Sequence, residues 1–285
     1  MSARWTVLAS GSSGNASLLQ CDDGAILIDV GIGPRQLGDR LRELGTSTAA
    51  LRGIVLTHTH ADHWREKTLV KLLAMNVPLY CHDAHRRELQ LRCDGLQKWQ
   101  FAGLVRPFSA DRSFEPLPEV QVRPIAVRHD GGPTFGFRIE CGRSLFTSGW
   151  AIGYAADLGS WDEGLVRRLL DVDVLALEFN HDVELQRTSG RAPWLISRVL
   201  GDEGHLSNEQ GAQLLEECLR RSIPGRLRHV IQLHLSRQCN SPRLAMSAAR
   251  DVLQAAAGEI ELHTADQSLP TRTIALGRER TSQVA

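Results

Sequence analysis

The chain has 285 residues, a length that allows one large domain or two small ones. Hydrophobic residues make up 42% and charged residues 23% of the sequence, which is typical of a globular protein and excludes disordered and collagen-like classes. Because 33 basic residues balance 33 acidic ones, no overall basic field exists, and any binding of nucleic acid has to depend on local positive patches.

Short β-strand patterns alternate with amphipathic helical patterns along the chain, as in layered α/β domains. The strand patterns lie at residues 5–9, 25–30, 53–56, 78–80, 120–127, 134–140, 144–146, 150–155, 172–179, 229–235 and 259–263. The helical patterns lie at residues 35–44, 66–75, 83–93, 162–170, 208–221 and 242–257. Cys141 and Gly142 predict a hairpin turn, and Ser207 followed by Gln210 predicts a capping box at the start of the fifth helix.

No repeat, low-complexity segment or glycine- and serine-rich linker divides the chain. Residues 1–276 are therefore expected to form a single domain, and the polar, aperiodic residues 277–285 are expected to be a disordered tail. The six cysteines form no CxxC pair, and a chain of this length needs no disulfide framework. Residues 1–10 lack the features of a secretory signal, and no apolar run reaches the ~18 residues of a membrane span. We therefore expect a reduced, cytoplasmic protein without membrane association.

The most informative segment is residues 57–63 (THTHADH), in which three of the 11 histidines lie within six positions. It follows the strand pattern at 53–56, and ligand sites usually form beyond the carboxyl ends of such strands. His58 and His60 can point the same way from an extended loop and bind one metal ion, while Asp62 and His63 turn toward a second one. Imidazole and carboxylate ligands together suit Zn²⁺, Mn²⁺ or Fe²⁺. An exposed polar loop with accidental histidines is the alternative, and so tight a pattern disfavours it.

Three further polar residues follow predicted strands elsewhere in the chain. His129 follows the strand at 120–127, Asp157 follows that at 150–155, and His234 lies near the end of that at 229–235. Each residue alone is more typical of an ordinary hydrogen-bonded side chain. Their recurrence at strand ends, together with the histidine cluster, favours a shared metal site.

These residues resemble the motifs of the metallo-β-lactamase-fold hydrolases, over residues 5–263. The family has a four-layer αβ/βα sandwich, and its dinuclear site lies at one edge of two packed sheets. The resemblance implies two divalent metal ions, Zn²⁺ or Mn²⁺ with Fe²⁺ as a third option. It implies seven ligands in two sets joined by one bridging carboxylate: His58, His60 and His129; Asp62, His63 and His234; and Asp157 as the bridge. Asp29 matches a motif in which an aspartate supports the metal loop without binding metal.

A closer resemblance is to the YycJ/WalJ-type metallohydrolases, bacterial single-domain proteins linked to 5′-to-3′ exonuclease activity on DNA. The segments that carry it are residues 10–15 (SGSSGN), 178–182 (EFNHD), 204–208 (GHLSN), 234–236 (HLS) and 239–240 (CN). The motifs are also similar to those of ribonuclease Z, but no long insertion is present to serve as an arm for transfer RNA. Thr59 and Ala61 replace the Glu and Ser that the family usually has between its ligands.

Other branches of the family fit less well. A bridging carboxylate at Asp157 disfavours a β-lactamase, and too little chain follows His234 for the helical C-terminal domain of glyoxalase II. The 77 positions from Asp157 to His234 are too few for the large insertion of ribonuclease J.

The resemblance implies metal-dependent hydrolysis of phosphodiesters, with nucleic acid, DNA ends above all, as the substrate class. A hydroxide held between the metals would attack phosphorus. His205 precedes the capped helix and is a candidate proton donor to the leaving oxygen, although a helix-capping role is the alternative. The catalytic candidates are thus His205, Asp62 and Asp157. The candidate substrate-binding residues are Ser207, Asn208, Asn180, His181, Ser236 and Asn240, with phosphate held by backbone N–H groups at the helix start.

Two alternatives remain at this point. One is hydrolysis of a small cyclic phosphodiester, a thioester or a lactone on the same metals, and the other is a non-catalytic accessory protein that binds metal. The sequence leaves open the native metal, the choice between DNA and RNA, and the oligomeric state.

Overall fold

A computed structural model describes residues 1–110, 112–142, 149–256 and 258–277 of the chain. Its strands are β1 (Ala3–Ala9), β2 (Ala16–Cys21), β3 (Gly24–Ile28), β4 (Leu51–Val55), β5 (Leu79–His82), β6 (Val105–Phe108), β7 (Phe114–Leu117), β8 (Val120–Val127), β9 (Thr134–Cys141), β10 (Trp150–Ala155), β11 (Val174–Glu178), β12 (His229–Leu233), β13 (Glu261–Thr264) and β14 (Ile274–Leu276). Its helices are α1 (Pro34–Glu43), α2 (Glu66–Ala74), α3 (Asp83–Arg92), α4 (Leu96–Phe101), α5 (Glu163–Leu169), α6 (Val183–Arg187), α7 (Pro193–Leu200), α8 (Asn208–Arg221) and α9 (Pro242–Ala255).

Within these ranges the strands form two mixed sheets of seven strands each. The first sheet has the order β14-β1-β2-β3-β4-β5-β6, and the second has the order β13-β12-β11-β10-β9-β8-β7. Strands β3 to β6 run parallel in the first sheet, and β10 to β13 run parallel in the second. The carboxyl ends of parallel strands meet at one edge of a sheet, so the segments that follow these strands are brought together.

The two sheets pack face to face, and helices cover their outer faces. Trp5 and Ile28 of the first sheet share one buried cluster with Phe137 and Ile231 of the second. Leu41 of α1 belongs to a second cluster on the outer face of the first sheet. Helices α5, α8 and α9 contribute to a third cluster against the second sheet. The predicted four-layer α/β sandwich is therefore confirmed.

Three elements match their sequence-based boundaries, namely β8, β10 and α8, and the capping box of α8 is present. Two predicted strands extend too far, through residues 30 and 235, whereas β3 and β12 end at Ile28 and Leu233. The reason is that Asp29 and His234 have φ angles of 63° and 57°, which an extended strand does not allow.

Several short elements are missing from the sequence-based prediction: β2, β6, β7, β14, α4, α6 and α7. The strand predicted at 144–146 lies outside the described residues, as do positions 278–285 of the predicted tail. Strands β9 and β10 pair antiparallel, with Cys141 opposite Trp150. Among the described residues, none of the helices combines the length and apolar character of a membrane span.

Candidate metal centre

Three strands of the sandwich are followed by a residue in the left-handed backbone region. Asp29 follows β3, Asp157 follows β10 and His234 follows β12, with φ angles of 63°, 57° and 57°. Residues other than glycine seldom adopt this conformation, which costs on the order of 1–3 kcal/mol and is concentrated at functional sites. In each case the turn ends the strand, and the side chain meets the others at the common edge of the two sheets.

The loop after β4 is held by the buried carboxylate of Asp29. Its Oδ1 accepts a hydrogen bond from the backbone N–H of Thr57 at 2.9 Å, and its Oδ2 lies 2.6 Å from Nδ1 of His63. The hydroxyl of Thr57 lies 3.0 Å from Nδ1 of His58. Asp29 therefore contacts the ring of His63 directly and that of His58 through Thr57, and its supporting role stays a prediction.

One group of nitrogen atoms comes from His58, His60 and His129, whose candidate ligand atoms lie within 4.8 Å of one another. Nδ1 of His129 lies 2.9 Å from the carbonyl oxygen of Gly204 and can donate a hydrogen bond to it. The other ring nitrogen of His129, Nε2, lies 3.2 Å from Nδ1 of His60. Burial and the neighbouring imidazole of His63 hold the pKa of His58 well below its usual range. His58 is therefore in the neutral form that binds metal ions.

The second group comprises Asp62, His63 and His234, again with ligand atoms within 4.8 Å of one another. Oδ2 of Asp62 lies 3.2 Å from Nε2 of His234 and 3.6 Å from Nε2 of His63. Asn15, from the loop between β1 and β2, places its Nδ2 3.2 Å from Oδ2 of Asp62. The N-terminal loop thus helps to position this second group.

Asp157 lies between the two groups. Its Oδ2 is 2.8 Å from Nε2 of His63, and its Oδ1 is 3.5 Å from Nε2 of His234 and 4.0 Å from Nε2 of His129. Burial raises the pKa of this carboxyl, but the imidazoles of His234 and His63 outweigh burial and hold the pKa well below its usual range. Asp157 is consequently a buried carboxylate within reach of residues of both groups.

The arrangement fits divalent metal ions. Within the part of the chain that the structure describes, Nε2 of His58 is buried without a hydrogen-bond partner, which costs about 1–3 kcal/mol unless a ligand engages it. The carboxylates of Asp29, Asp157 and Glu178 are almost fully buried in the same region, and buried charges of one sign require compensation. Imidazole and carboxylate donors are those that Zn²⁺, Mn²⁺ and Fe²⁺ accept.

Glu178, the last residue of β11, is absent from the site residues predicted above. It is fully buried, and its Oε1 lies 2.8 Å from Nδ1 of His205. Burial raises the pKa of Glu178, but the imidazoles of His205 and His234 lower it to about 2. The available signal was a single acidic residue at the end of the otherwise apolar strand VLALE. His205 is partly exposed and also lies 3.4 Å from Oδ1 of Asp157, so this pair adjoins the candidate metal ligands.

The predicted substrate-binding residues surround the start of α8, but most of their polar groups are engaged within the chain. The hydroxyl of Ser207 caps Gln210, and the backbone N–H of Asn208 donates to the carbonyl of His181 at 2.8 Å. A phosphate at this helix start would have to displace such bonds. The side chain of Asn208 pairs with that of Asn240 at 3.0 Å.

Three residues complete this set. Asn180 donates from Nδ2 to the carbonyl of His234 at 2.8 Å, and the backbone N–H of Ser236 donates to the carbonyl of Asn180. The ring of His181 is buried, and neither of its nitrogens has a hydrogen-bond partner among the described residues. A role of these side chains in substrate binding stays a prediction.

A carboxylate at the rim connects the first group to α7. Oδ1 of Asp130 lies 3.6 Å from Nε2 of His129 and 3.9 Å from Nε2 of His60. The guanidinium of Arg198 holds Asp130 through two bonds, one of them from Nη2 to Oδ1 at 2.9 Å. Neither member of this pair is among the residues predicted from the sequence.

A separate cluster of possible ligands lies at the other end of β12. It consists of His229, Glu261 and His263, and the glutamate is exposed. His229 begins β12 whereas His234 follows the end of this strand, so the cluster is not part of the candidate metal centre.

The sandwich and the two adjoining groups of candidate ligands are typical of a metallohydrolase. A family model described as "Beta-lactamase superfamily domain" matches residues 25–224, and the chain belongs to this superfamily. The fold resemblance predicted from the sequence is thereby confirmed.

Three similar proteins refine this assignment. The exodeoxyribonuclease WalJ of Streptococcus pneumoniae is 29% identical over 280 residues, which cover 95% of this chain and 96% of that protein. The exodeoxyribonuclease YycJ of Bacillus anthracis is 26% identical over 281 residues, covering 95% and 98%. The metallo-β-lactamase-fold protein YhfI from Bacillus subtilis superposes with a TM-score of 0.66 at 15% identity, covering 97% of this chain and 100% of that one. The predicted resemblance to YycJ/WalJ-type proteins is likewise confirmed.

Proposed function

We propose that the chain is a dinuclear-metal-dependent phosphodiesterase that removes nucleotides from the ends of nucleic acid, with DNA as the substrate. The observation that carries this proposal is the pair of ligand groups that share access to Asp157. The two curated relatives, which match along almost their whole length, are named exodeoxyribonucleases. A substrate of this kind agrees with the cytoplasmic location expected from the sequence.

The proposed ligands are those expected from the sequence. His58, His60 and His129 would hold the first ion and Asp62, His63 and His234 the second. Asp157, which lies within reach of residues of both groups, would serve the two sites together. When bound, two such ions generate a nucleophile from water at neutral pH and neutralise charge that develops on the phosphoryl oxygens.

The chain's own residues supply positioning and a proton. Glu178 can accept a hydrogen bond from Nδ1 of His205, which orients the ring and leaves Nε2 as the nitrogen that would transfer a proton. Because the His205 side chain is partly exposed beside Asp157, Nε2 can deliver this proton to the leaving oxygen of a phosphodiester. Asp29 and Asn15 keep His63 and Asp62 in place throughout.

The test is a digestion panel on end-labelled single- and double-stranded DNA and RNA, with Mn²⁺ and Zn²⁺ supplied separately to chelator-treated protein. We expect release of nucleotides from DNA ends. The Asp62→Ala variant, purified in parallel, controls for contaminating nucleases, because it removes a proposed ligand.

Bis(p-nitrophenyl) phosphate, a thioester and nitrocefin complete the panel. Hydrolysis of the small phosphodiester without cleavage of any nucleic acid would assign the chain to small substrates and reject the exonuclease proposal. Hydrolysis of the thioester or of nitrocefin alone would reject phosphodiester chemistry altogether.

A further inference from the structure

A positively charged segment of two helices, residues 183–200, lies beside the candidate metal centre. It comprises α6 and α7 and connects the region after β11 with the loop that carries His205. Its charged residues are three arginines and one glutamate, whereas the whole chain has no net charge. Because Arg198 is paired with Asp130, the arginines of the segment that remain to attract a polyanion are Arg187 and Arg191.

Two contacts fix α7 against the centre. Arg198 holds Asp130, whose Oδ1 lies 3.6 Å from Nε2 of His129. The backbone N–H of His205 donates to the carbonyl of Val199 at 3.0 Å. The face of α7 that carries Arg198 is thus adjacent to the residues proposed to bind metal and to donate the proton.

Trp194 lies on this same face. It precedes Arg198 by four residues, so the two side chains are helical neighbours with Cβ atoms about 5–6 Å apart. Trp194 is 69% exposed, whereas the other five tryptophans of the chain are buried or half-buried. A large, rigid aromatic surface is therefore presented to solvent one helical turn from a residue at the rim of the centre.

We propose that Trp194 stacks against a nucleobase close to the strand end whose phosphodiester is hydrolysed, and this inference rests on the proposed nuclease function. Proteins that bind single strands without reading their sequence combine a positive groove for the backbone with aromatic side chains for the bases. Arg191 and Arg187 on the same segment supply positive charge for the phosphates. Stacking of this kind contributes about 5- to 150-fold in affinity per base.

The test compares Trp194→Ala, Trp194→Phe and the control Phe101→Ala on an end-labelled single-stranded DNA oligonucleotide and on bis(p-nitrophenyl) phosphate. Phe101 is a matched control because it is an aromatic residue on helix α4 that is 91% exposed. We expect Trp194→Ala to raise KM for the oligonucleotide about 5- to 150-fold, and to lose far more on DNA than on the small substrate. Trp194→Phe retains a stacking ring and should recover most of the loss, whereas Phe101→Ala should match the wild type.

Two outcomes overturn the inference, and they can be told apart. If the wild type cleaves DNA and Trp194→Ala does so with an unchanged KM, the stacking role is wrong and the nuclease function stands. If the wild type hydrolyses bis(p-nitrophenyl) phosphate but no nucleic acid, the proposed function fails and the stacking role fails with it.

Discussion

Gly131 offers a way to displace two proposed metal ligands without removing either. A Cβ atom added at this position would lie 2.8 Å from Cδ2 of His58 and 2.9 Å from Cε1 of His60. Carbon atoms in ordinary contact are about 3.5–4.0 Å apart. In Gly131→Ala the two rings, or the loop that carries residue 131, therefore have to shift by at least about 0.6–0.7 Å, the difference between these distances.

A shift of this size is large for a metal site. Ligand distances are normally held within about 0.2 Å, and a misplacement of about 1 Å in a catalytic site costs roughly 100-fold in rate. Crowding of a packed region costs about 1–3 kcal/mol of stability in addition. We expect Gly131→Ala to fold, to bind metal more weakly at the His58 group, and to lose roughly 100-fold in kcat/KM.

The assay combines metal content by elemental analysis, after dialysis against limiting Zn²⁺ or Mn²⁺, with hydrolysis of bis(p-nitrophenyl) phosphate. Gly38→Ala, in helix α1, is the control, because no atom apart from the adjoining residues and the backbone of its own helix lies within 4 Å of the Cβ it would add. The control should keep wild-type metal content and rate. If Gly131→Ala also keeps both, the added Cβ atom does not displace the rings of His58 and His60 and the reasoning is refuted.

Three further predictions concern the centre itself. Asp157→Ala should lower the content of both metal ions and abolish turnover, since this carboxylate contacts both groups; a variant with wild-type activity would show that Asp157 is not the bridge. His205→Ala should keep both ions while kcat on a phosphodiester with a poor leaving group falls about 10²–10⁴-fold, and the loss should be smaller for p-nitrophenolate, which scarcely needs protonation. Equal losses on the two substrates would indicate phosphate binding instead of proton donation, and loss of metal would make His205 a ligand. Elemental analysis of the reconstituted protein should give about two ions per chain, and His263→Ala should leave this number unchanged; fewer than one ion would contradict a dinuclear centre.

The part of the site that could be predicted from the sequence consists of residues that lie close together in the chain. His58, His60, Asp62 and His63 stand together in one loop, and their spacing indicates a metal site before any fold is known. The candidate ligands that follow later strands were indicated by their recurrence at strand ends, and only their division into two sets came from the family resemblance. Each of them lies where the carboxyl end of a strand meets the common edge.

The residues that sequence analysis missed depend on contacts between distant segments. Glu178 contacts His205 across 27 positions, Asn15 contacts His63 across 48, and Arg198 contacts Asp130 across 68. No periodicity or local motif reports such pairs. The missed strands have a related cause, because β6 and β14 contain only four and three residues and are defined by their pairing with β5 and β1.

The position of the ligands has a consequence for stability. His60 follows a strand of the first sheet and His129 a strand of the second, and the same division separates His63 from His234. Each bound ion would thus add a crosslink between the two sheets, whose facing sides pack through apolar side chains. Free ligand at 100 times its dissociation constant adds about 2.7 kcal/mol to folding stability for a single site. Metal supply would accordingly affect the stability of the folded chain as well as its rate of turnover.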